Sequence, residues 1–163
     1  MADMHSKTIG SYNMSRIKRK DTKPEMLVRR FLFAKGFRYR LHGLTTSSDT
    51  QGRDTFYLKK GEGKLQKKKF LLPGKPDIVL AKYKTVIFVH GCFWHGHEGC
   101  RYYVVPKIRT DWWLDKINRN KELDKSAAAA LKKAGWKIIT LWECDLKKPK
   151  LEKTLFKLSR KLS

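Results

Sequence analysis

Eleven residues of the chain, HGCFWHGHEGC at 90–100, contain three of its five histidines and two of its three cysteines. Within them, the spacing Cys92-x4-His97-x2-Cys100 is short enough for three side chains to reach one metal ion. A structural zinc takes four nitrogen or sulfur ligands, and Cys144 can supply the fourth. The set predicts a closed zinc site that ties the loop after one strand to the end of another strand, which restricts the possible folds.

Two alternatives stay open on spacing alone. His95 can replace His97 as the ligand, and Cys144 can be a buried thiol without a ligand role. Three cysteines in a cytosolic chain do not indicate a disulfide framework. Each cysteine is therefore a metal ligand, a nucleophile or a buried thiol.

Apolar periodicity predicts helices and strands around the cysteine-rich stretch. The predicted elements are a helix capped by Thr22 and ended by Gly36, a short strand at 37–41, buried strands at 78–81 and 85–89, a helix at 111–133 capped by Thr110, a buried strand at 137–142, and a closing helix at 151–158. This order predicts an α/β (α+β) sandwich around one sheet, in one domain.

The charge of the chain predicts a polyanionic partner. Lys and Arg total 38 against 15 Asp and Glu, a formal net charge of +23. Such a chain repels itself when compact, and nucleic acid is the first candidate because basic side chains release the counterions condensed on phosphates. A merely solubilising surface is the alternative. The net charge does not distinguish a protein that binds nucleic acid from one that also cuts it.

The composition favours a soluble, folded protein. Hydrophobic residues make up 40% of the chain, which is enough for a core. No apolar run approaches the roughly 18 residues of a membrane span. The N-terminal MADMHSKTIGSYNM lacks the basic-then-apolar pattern of a signal peptide. We therefore expect a cytoplasmic protein.

Asp77 is a candidate ligand for a catalytic cation. It follows Pro76 at the start of a strand, the place where many nucleases bind Mg²⁺, and a phosphodiester requires a hard cation to neutralise it and activate water. The next strand contains neither the acid nor the Lys of the usual motif, so Asp77 can equally be a turn residue. His90 or His95 could supply the missing general base.

The long predicted helix carries polar residues within an apolar stripe. Asn120 and Asp124 share this stripe with Trp113 and Ile117, so each either faces a cleft or is a hydrogen-bonded structural group. Glu25 is ambiguous in the same way. It completes a capping box with Thr22, and it can cap the helix while also touching a metal-bound water.

Several blocks of the sequence resemble the very short patch repair (Vsr) endonucleases. These blocks are NMSRIKRKDTKPE, PGKPDIV, VIFVHGCFWHGHEGC, VPKIRTDWWLDKINRNKELD and AGWKIITLWEC, and they cover about residues 5–42 and 71–146. The resemblance implies a DNA-repair endonuclease that uses Mg²⁺ to nick one strand 5′ of the mispaired T at T·G mismatches, which arise when 5-methylcytosine deaminates. It also implies a type II restriction endonuclease-like three-layer sandwich with a central mixed sheet and a structural zinc.

The resemblance assigns the metal ligands. Asp77 and the backbone carbonyl of Val89 would bind Mg²⁺. The structural Zn²⁺ would be held by Cys92, His97, Cys100 and Cys144. On this assignment His97 is the ligand, and His95 is left for catalysis.

The resemblance also assigns the remaining catalytic roles. His95 would be the general base, and Asp124 would orient that histidine or the attacking water. His90 would contact the phosphate, and Glu25 would assist the metal-bound waters. All of these residues lie in the matching blocks.

A group of aromatic residues would intercalate in the DNA. Phe93, Trp94 and Trp113 would form a wedge pushed into the base stack beside the mismatch, with Lys116 and Asn120 contacting DNA nearby. Unstacking costs less at a mismatched step, so the wedge would contribute to selectivity. Without the resemblance, Phe93 and Trp94 could equally be core residues.

The implied organisation is a single endonuclease domain over residues 1–163, with residues 1–20 as an N-terminal DNA-binding arm. One departure from the family pattern is a longer, Lys-rich segment at 45–70. Residues 55–58 and 64–70 within it could pair as a basic hairpin, and a mobile loop is the alternative. The insertion could extend the DNA footprint or be a solvated loop.

The implied partners are double-stranded DNA with a T·G mismatch, mismatch-repair proteins of the MutL/MutS type, and a cytosine-5 methyltransferase of the same pathway. The protein would be a monomer in the bacterial cytoplasm, associated with the nucleoid. Two alternatives are a restriction-type endonuclease that cuts matched duplex and a non-catalytic zinc-stapled DNA-binding module.

Overall fold

The structure, a computed structural model, describes residues 20–46 and 69–162. Its helices and strands are α1 (Lys23–Ala34), β1 (Arg40–Leu41), β2 (Leu44–Thr46), β3 (Lys69–Leu71), β4 (Ile78–Leu80), β5 (Thr85–His90), α2 (Thr110–Lys133), β6 (Lys137–Trp142) and α3 (Leu151–Leu162). Short 3₁₀ turns follow β4 at Ala81–Tyr83 and β6 at Glu143–Leu146. None of the helices in these two ranges is both long and apolar enough to cross a membrane.

A four-stranded mixed sheet in the order β1-β4-β5-β6 forms the centre of the fold. β4 is antiparallel to β1 and β5, whereas β5 and β6 are parallel, with His90 opposite Trp142 at their ends. A parallel pair needs a long crossover connection, which α2 provides here. The loops after β5 and β6 therefore leave the sheet at the same edge.

Helices cover both faces of this sheet, because successive strand residues point to opposite sides. One core joins α1 and α3 to a first face through Val28, Leu32, Ile78, Leu80, Ile87, Ile139, Leu141, Leu158 and Leu162. A second core joins α2 to the opposite face through Val79, Val86, Leu131 and Trp136. Each fully buried aliphatic side chain contributes about 1.5–3 kcal/mol to folding. The predicted mixed sheet with packed helices is confirmed.

β2 and β3 form a separate antiparallel ribbon, with Leu44 opposite Leu71. The predicted basic hairpin and most of the Lys-rich insertion at 45–70 lie outside the described residues, as does the predicted N-terminal arm up to residue 19. The ribbon pairs the two described ends of the insertion.

Two local predictions are wrong. The residue that caps α2 is Arg109, in a left-handed conformation with φ 55°. The Thr110 hydroxyl points back to the preceding turn, where it lies 2.9 Å from the carbonyl oxygens of both Pro106 and Lys107 and can donate to either. The strand predicted at 37–41 is only Arg40–Leu41, because the Phe37 N–H still belongs to the end of α1, donating to Leu32 O at 2.9 Å.

Candidate active site and metal centre

The predicted site residues converge at the sheet edge where β5 and β6 end. The loop after β5 carries the cysteine-rich stretch, and Cys144 follows β6 directly. β4 runs in the opposite direction, so Asp77, the residue before it, lies at this edge as well. α2 contributes Asp124, whose carboxylate contacts His95 from that loop. Mixed strand directions thus bring residues from four parts of the chain to one place.

One group at this edge consists of Cys92, His97, Cys100 and Cys144, whose ligand atoms lie within 4.8 Å of one another. His97 Nδ1 is 3.5 Å from Cys144 Sγ. Tight turns hold the loop: the His97 N–H donates to Cys92 O at 2.9 Å and the Cys100 N–H to His97 O at 3.2 Å. Three thiols and an imidazole at this spacing can hold a metal ion, and this donor set suits zinc.

The thiols of this group affect one another. Burial raises the pKa of the Cys92 thiol, and burial together with the contacts to Cys92 and Cys100 raises that of Cys144 to about 12. A backbone hydrogen bond at Tyr102 lowers the pKa of Cys100. Adjacent thiolates repel each other, and a metal cation between them would favour the ionised form of each thiol. The electrostatics of the group therefore fit a bound cation.

Gly96 separates the two histidines that spacing left interchangeable. Its φ of +59° favours glycine, and a Cβ there would lie 2.9 Å from Ile117 Cγ2, so the loop lies close to α2 at this turn. On one side of this turn His97 faces the cysteines, and on the other His95 faces Asp124. The structure thus places His97, and not His95, in the cysteine group.

Asp77 faces the end of β5. The Val89 N–H donates to Asp77 Oδ2 at 2.7 Å. Because the N–H and C=O of an extended residue project to the same side, the Val89 carbonyl faces this side as well. Burial is the main cause that raises the pKa of Asp77 to about 6. The charge of Glu25 also raises this pKa, whereas the Val89 hydrogen bond lowers it. A partly buried carboxylate beside a second acid is stabilised by a nearby cation.

His90, His95 and Asp124 form a second group that could hold a metal ion or perform acid–base chemistry. The rings of His90 and His95 stack with centroids 3.8 Å apart and planes at 4°. His95 Nδ1 lies 2.6 Å from Asp124 Oδ2, and since an ionised carboxylate only accepts, Nδ1 donates. This leaves Nε2 of a neutral His95 free to accept a proton. Burial, together with His95, lowers the pKa of His90 to about 4, so His90 is neutral at pH 7.

Glu25 caps α1 and lines the cleft at the same time. Its carboxylate accepts hydrogen bonds from the Asp21 N–H and the Thr22 hydroxyl at 2.9 Å and from Arg29 at 3.1 Å. The Thr22 hydroxyl in turn accepts from the Glu25 N–H at 3.5 Å, as in a capping box. The side chain is buried beside Asp77. The two roles weighed for Glu25 are therefore compatible.

The predicted wedge residues form one aromatic group. The ring of Phe93 lies 5.1 Å from that of Trp94 and 5.4 Å from that of Trp113. All three side chains are half-buried rather than enclosed in either of the two cores. Trp112, which sequence reasoning missed, extends the group: it packs 4.7 Å from Trp113, is exposed, and lies under the Arg109 guanidinium.

Lys116 and Asn120 hold this aromatic group from α2. The Lys116 ammonium lies within 6 Å of the ring centroids of Trp94, Trp112 and Trp113. Asn120 donates from Nδ2 to Trp94 O at 2.9 Å, so its amide fixes the loop that carries Trp94. Asn120 is thus a hydrogen-bonded structural group in the free protein.

An open cleft of about 930 Å³ joins these groups. Asp77, Val89, His90, His95 and Asp124 line it together with Trp94 and Lys116. Among the charged residues that line the cleft, sequence reasoning missed Lys23, Lys75 and Glu143. Of these three, only Glu143 could have been predicted from the sequence, because it directly precedes the predicted zinc ligand Cys144. Basic and acidic groups thus share the walls of one cleft.

Comparison with known proteins points to one family. A family model described as DNA mismatch endonuclease Vsr matches residues 2–62 and 61–101. The chain is 44% identical over 147 residues to the type II nicking enzyme V.NmeAIP of Neisseria meningitidis, covering 90% of this chain and 86% of the relative. It is 38% identical over 146 residues to the type II nicking enzyme V.XorIIP of Xanthomonas oryzae, covering 90% and 88%. It is 35% identical over 147 residues to the DNA mismatch endonuclease Vsr of Escherichia coli, covering 90% and 77%.

Proposed function

The chain belongs to the Vsr family of DNA mismatch endonucleases and is thus a DNA endonuclease, and from this premise we propose that it nicks one strand of duplex DNA, 5′ of the mispaired T at a T·G mismatch. The observation that carries the proposal is one cleft that combines Asp77, the His95–Asp124 pair and the aromatic group. In this proposal residues 1–163 form one catalytic domain, and its sandwich is of the type II restriction endonuclease kind.

Two metal ions belong to the proposal. Asp77 and the Val89 carbonyl would hold Mg²⁺, because carboxylate and carbonyl oxygens are the ligands this ion prefers. When bound there, Mg²⁺ neutralises the phosphate and lowers the pKa of a coordinated water. Cys92, His97, Cys100 and Cys144 would hold Zn²⁺ in a closed structural site. Hard and soft ligands are thus sorted into two groups.

His95 is the proposed general base. With its Nδ1–H donated to Asp124, the free Nε2 accepts a proton from the attacking water as the new phosphorus–oxygen bond forms. The bond from phosphorus to the leaving sugar oxygen breaks in the same step, and that oxygen takes a proton from solvent water. Asp124 keeps the ring in the required tautomer and orientation. His90, neutral and stacked on His95, donates a hydrogen bond to the phosphate. Glu25, which lines the cleft beside Asp77, would assist the waters of a bound Mg²⁺.

The aromatic group is the proposed mismatch sensor. Phe93, Trp94 and Trp113 enter the base stack at the mismatch, where unstacking is least costly. Lys116 lies over the rings of Trp94 and Trp113 and would contact the DNA backbone beside the wedge. Asn120, engaged with Trp94 O, would support the loop and contact DNA only next to it.

The wider setting follows from the proposed reaction. A nick at a deaminated 5-methylcytosine implies a cytosine-5 methyltransferase in the same pathway and repair partners of the MutL/MutS type. The protein would act as a monomer in the bacterial cytoplasm, on the nucleoid. The Lys-rich insertion at 45–70 and the arm at 1–20 would add DNA contacts through their charge.

A strand-resolved cleavage assay tests the proposal. Duplexes with one T·G pair in a set of flanking sequences, and matched duplexes as the control, are incubated with the protein and Mg²⁺. We expect a single nick in the T strand of the mismatched duplex. Double-strand breaks in matched DNA would replace the proposal with a restriction-type enzyme, and binding without any cleavage would replace it with a binding module.

A further inference from the structure

Trp142 lies between the two groups at the sheet edge. It ends β6 and pairs with His90, the last residue of β5. Its ring stacks on the ring of His97, with centroids 4.0 Å apart and planes at 6°. Its ring also meets the ring of His90 edge to face, at 5.4 Å and 73°. One indole therefore touches a proposed zinc ligand and a proposed catalytic histidine.

The contacts continue beyond Trp142 to the proposed base. The His90 ring stacks on His95 at 3.8 Å, and His95 bonds to Asp124 at 2.6 Å. A chain of ring contacts thus runs from the cysteine group to the carboxylate on α2. Each ring in it has a neighbour that restricts its rotation.

From this we propose that Trp142 is a positioning residue: it transmits the fixed orientation of His97 to His90 and His95, so that the zinc site sets the geometry of the base. This inference rests on the proposed function. Its physical basis is that a histidine that accepts a proton must be held near its productive orientation, and small misplacements slow a reaction strongly. In this view, zinc does more than tie two loops together.

The test compares Trp142→Leu with Trp142→Phe. Leucine fills much of the space but offers no ring, whereas phenylalanine can still stack on His97 and present an edge to His90. Thr140→Val is the matched control, because Thr140 lies on the same face of the same strand, two residues earlier, and is exposed. Zinc content, melting temperature, mismatch affinity and single-turnover cleavage at saturating Mg²⁺ are measured for each.

We expect Trp142→Leu to keep one zinc per chain and to bind mismatched DNA within about twofold of wild type, while cleavage slows about tenfold or more. Trp142→Phe should recover most of the rate, and Thr140→Val should match wild type. A Trp142→Leu variant that cleaves at the wild-type rate would overturn the inference. Loss of zinc or of affinity in parallel with the rate would overturn it too, since Trp142 would then be only a structural support.

A second measurement separates this inference from the proposed function. NMR signals of the histidine rings are recorded for wild type and for Trp142→Leu, both without DNA. The inference predicts that the His95 signals shift along with those of His90 and His97, whether or not wild type cleaves T·G duplexes. Unchanged His95 signals would reject the coupling, whereas absence of wild-type cleavage would reject only the proposed function.

Discussion

The cysteine group and the histidine–carboxylate group share a sheet edge but differ in every property that decides ligand chemistry. The first contains three thiols and one imidazole, all directed at one another. The second, which consists of His90, His95 and Asp124, lines an open cleft together with the Asp77 carboxylate. A closed set of soft ligands suits a structural ion, whereas an open set with oxygen ligands suits a reaction.

The difference teaches that neighbours in sequence can serve separate sites. His95 and His97 flank a single glycine, and the turn at Gly96 sends them to opposite groups. The aromatic residues Phe93 and Trp94 come from the same loop and pack on Trp113. A loop held at several points can therefore present three kinds of chemistry.

The largest effect should come from Asp77. We expect Asp77→Asn to slow nicking by at least about 10³-fold, because the amide removes the charge that binds the cation. Mismatch affinity and zinc content should stay near wild type. Single-turnover cleavage measures the nicking rate, a binding titration measures the affinity, and elemental analysis measures the zinc content. An Asp77→Asn enzyme that still cuts would show that the open group does not depend on this carboxylate.

A reciprocal pair of histidine variants separates the two groups. His97→Asn should release zinc and lower the melting temperature by several degrees or more, since metal binding stabilises the fold. His95→Asn should keep zinc and slow cleavage by about 10²–10³-fold. Elemental analysis, thermal melting and the nicking assay give the two profiles. Exchanged profiles would mean that the ligand and the base have been assigned the wrong way round.

Asp124 should have an intermediate effect. We expect Asp124→Asn to slow cleavage about 10–100-fold, because an amide can stabilise the wrong tautomer of His95. Asp115→Asn, which changes an exposed carboxylate on the same helix, is the matched control and should cleave normally. Equal rates in both variants would remove Asp124 from the proposed mechanism.

The aromatic group should affect discrimination more than cleavage. Phe93→Ala and Trp94→Ala are each expected to lower the ratio of the affinity for mismatched duplex to the affinity for matched duplex, by about tenfold or less. Phe156→Ala, at an exposed phenylalanine on α3, provides the control. Binding titrations with paired duplexes measure the ratio. A ratio unchanged in both wedge variants would contradict the wedge.

The smallest effect concerns stability and pH. Burial raises the pKa of Asp77 to about 6, above its value in the unfolded chain, so its carboxylate destabilises the Mg²⁺-free fold as pH rises through this range. At pH 7.5 the free energy of unfolding of Asp77→Asn, measured by urea denaturation, should therefore exceed that of wild type by about 1–2 kcal/mol. The difference should vanish toward pH 4. A variant no more stable at pH 7.5 would refute this effect.

Much of the fold followed from the sequence because the signals were local. β4, β5 and β6 are β-branched runs bounded by turns, and α1 and α2 follow a helical period. The predictions of the Thr110 cap and of the length of the first strand were wrong because each feature depends on hydrogen bonds to particular carbonyls, which side-chain type does not specify.

The candidate site was predictable only as a set of residues. Spacing identified the cysteines, but the sheet topology decided that Cys144 meets them and that His95 meets Asp124. Trp142 gave no independent signal, and Glu143 gave only its place beside Cys144, because both positions depend on the meeting of β5 and β6 at one edge. The resemblance, and not periodicity, separated His95 from His97.

The central claim is that one edge carries a closed zinc site and a separate open magnesium site. Zinc X-ray absorption of the whole protein, for wild type and Asp77→Asn, tests it most directly. We predict three sulfur ligands at about 2.3 Å and one nitrogen at about 2.0 Å, with one zinc per chain in both proteins. A shell dominated by nitrogen and oxygen, or a zinc content that falls in Asp77→Asn, would contradict the separation.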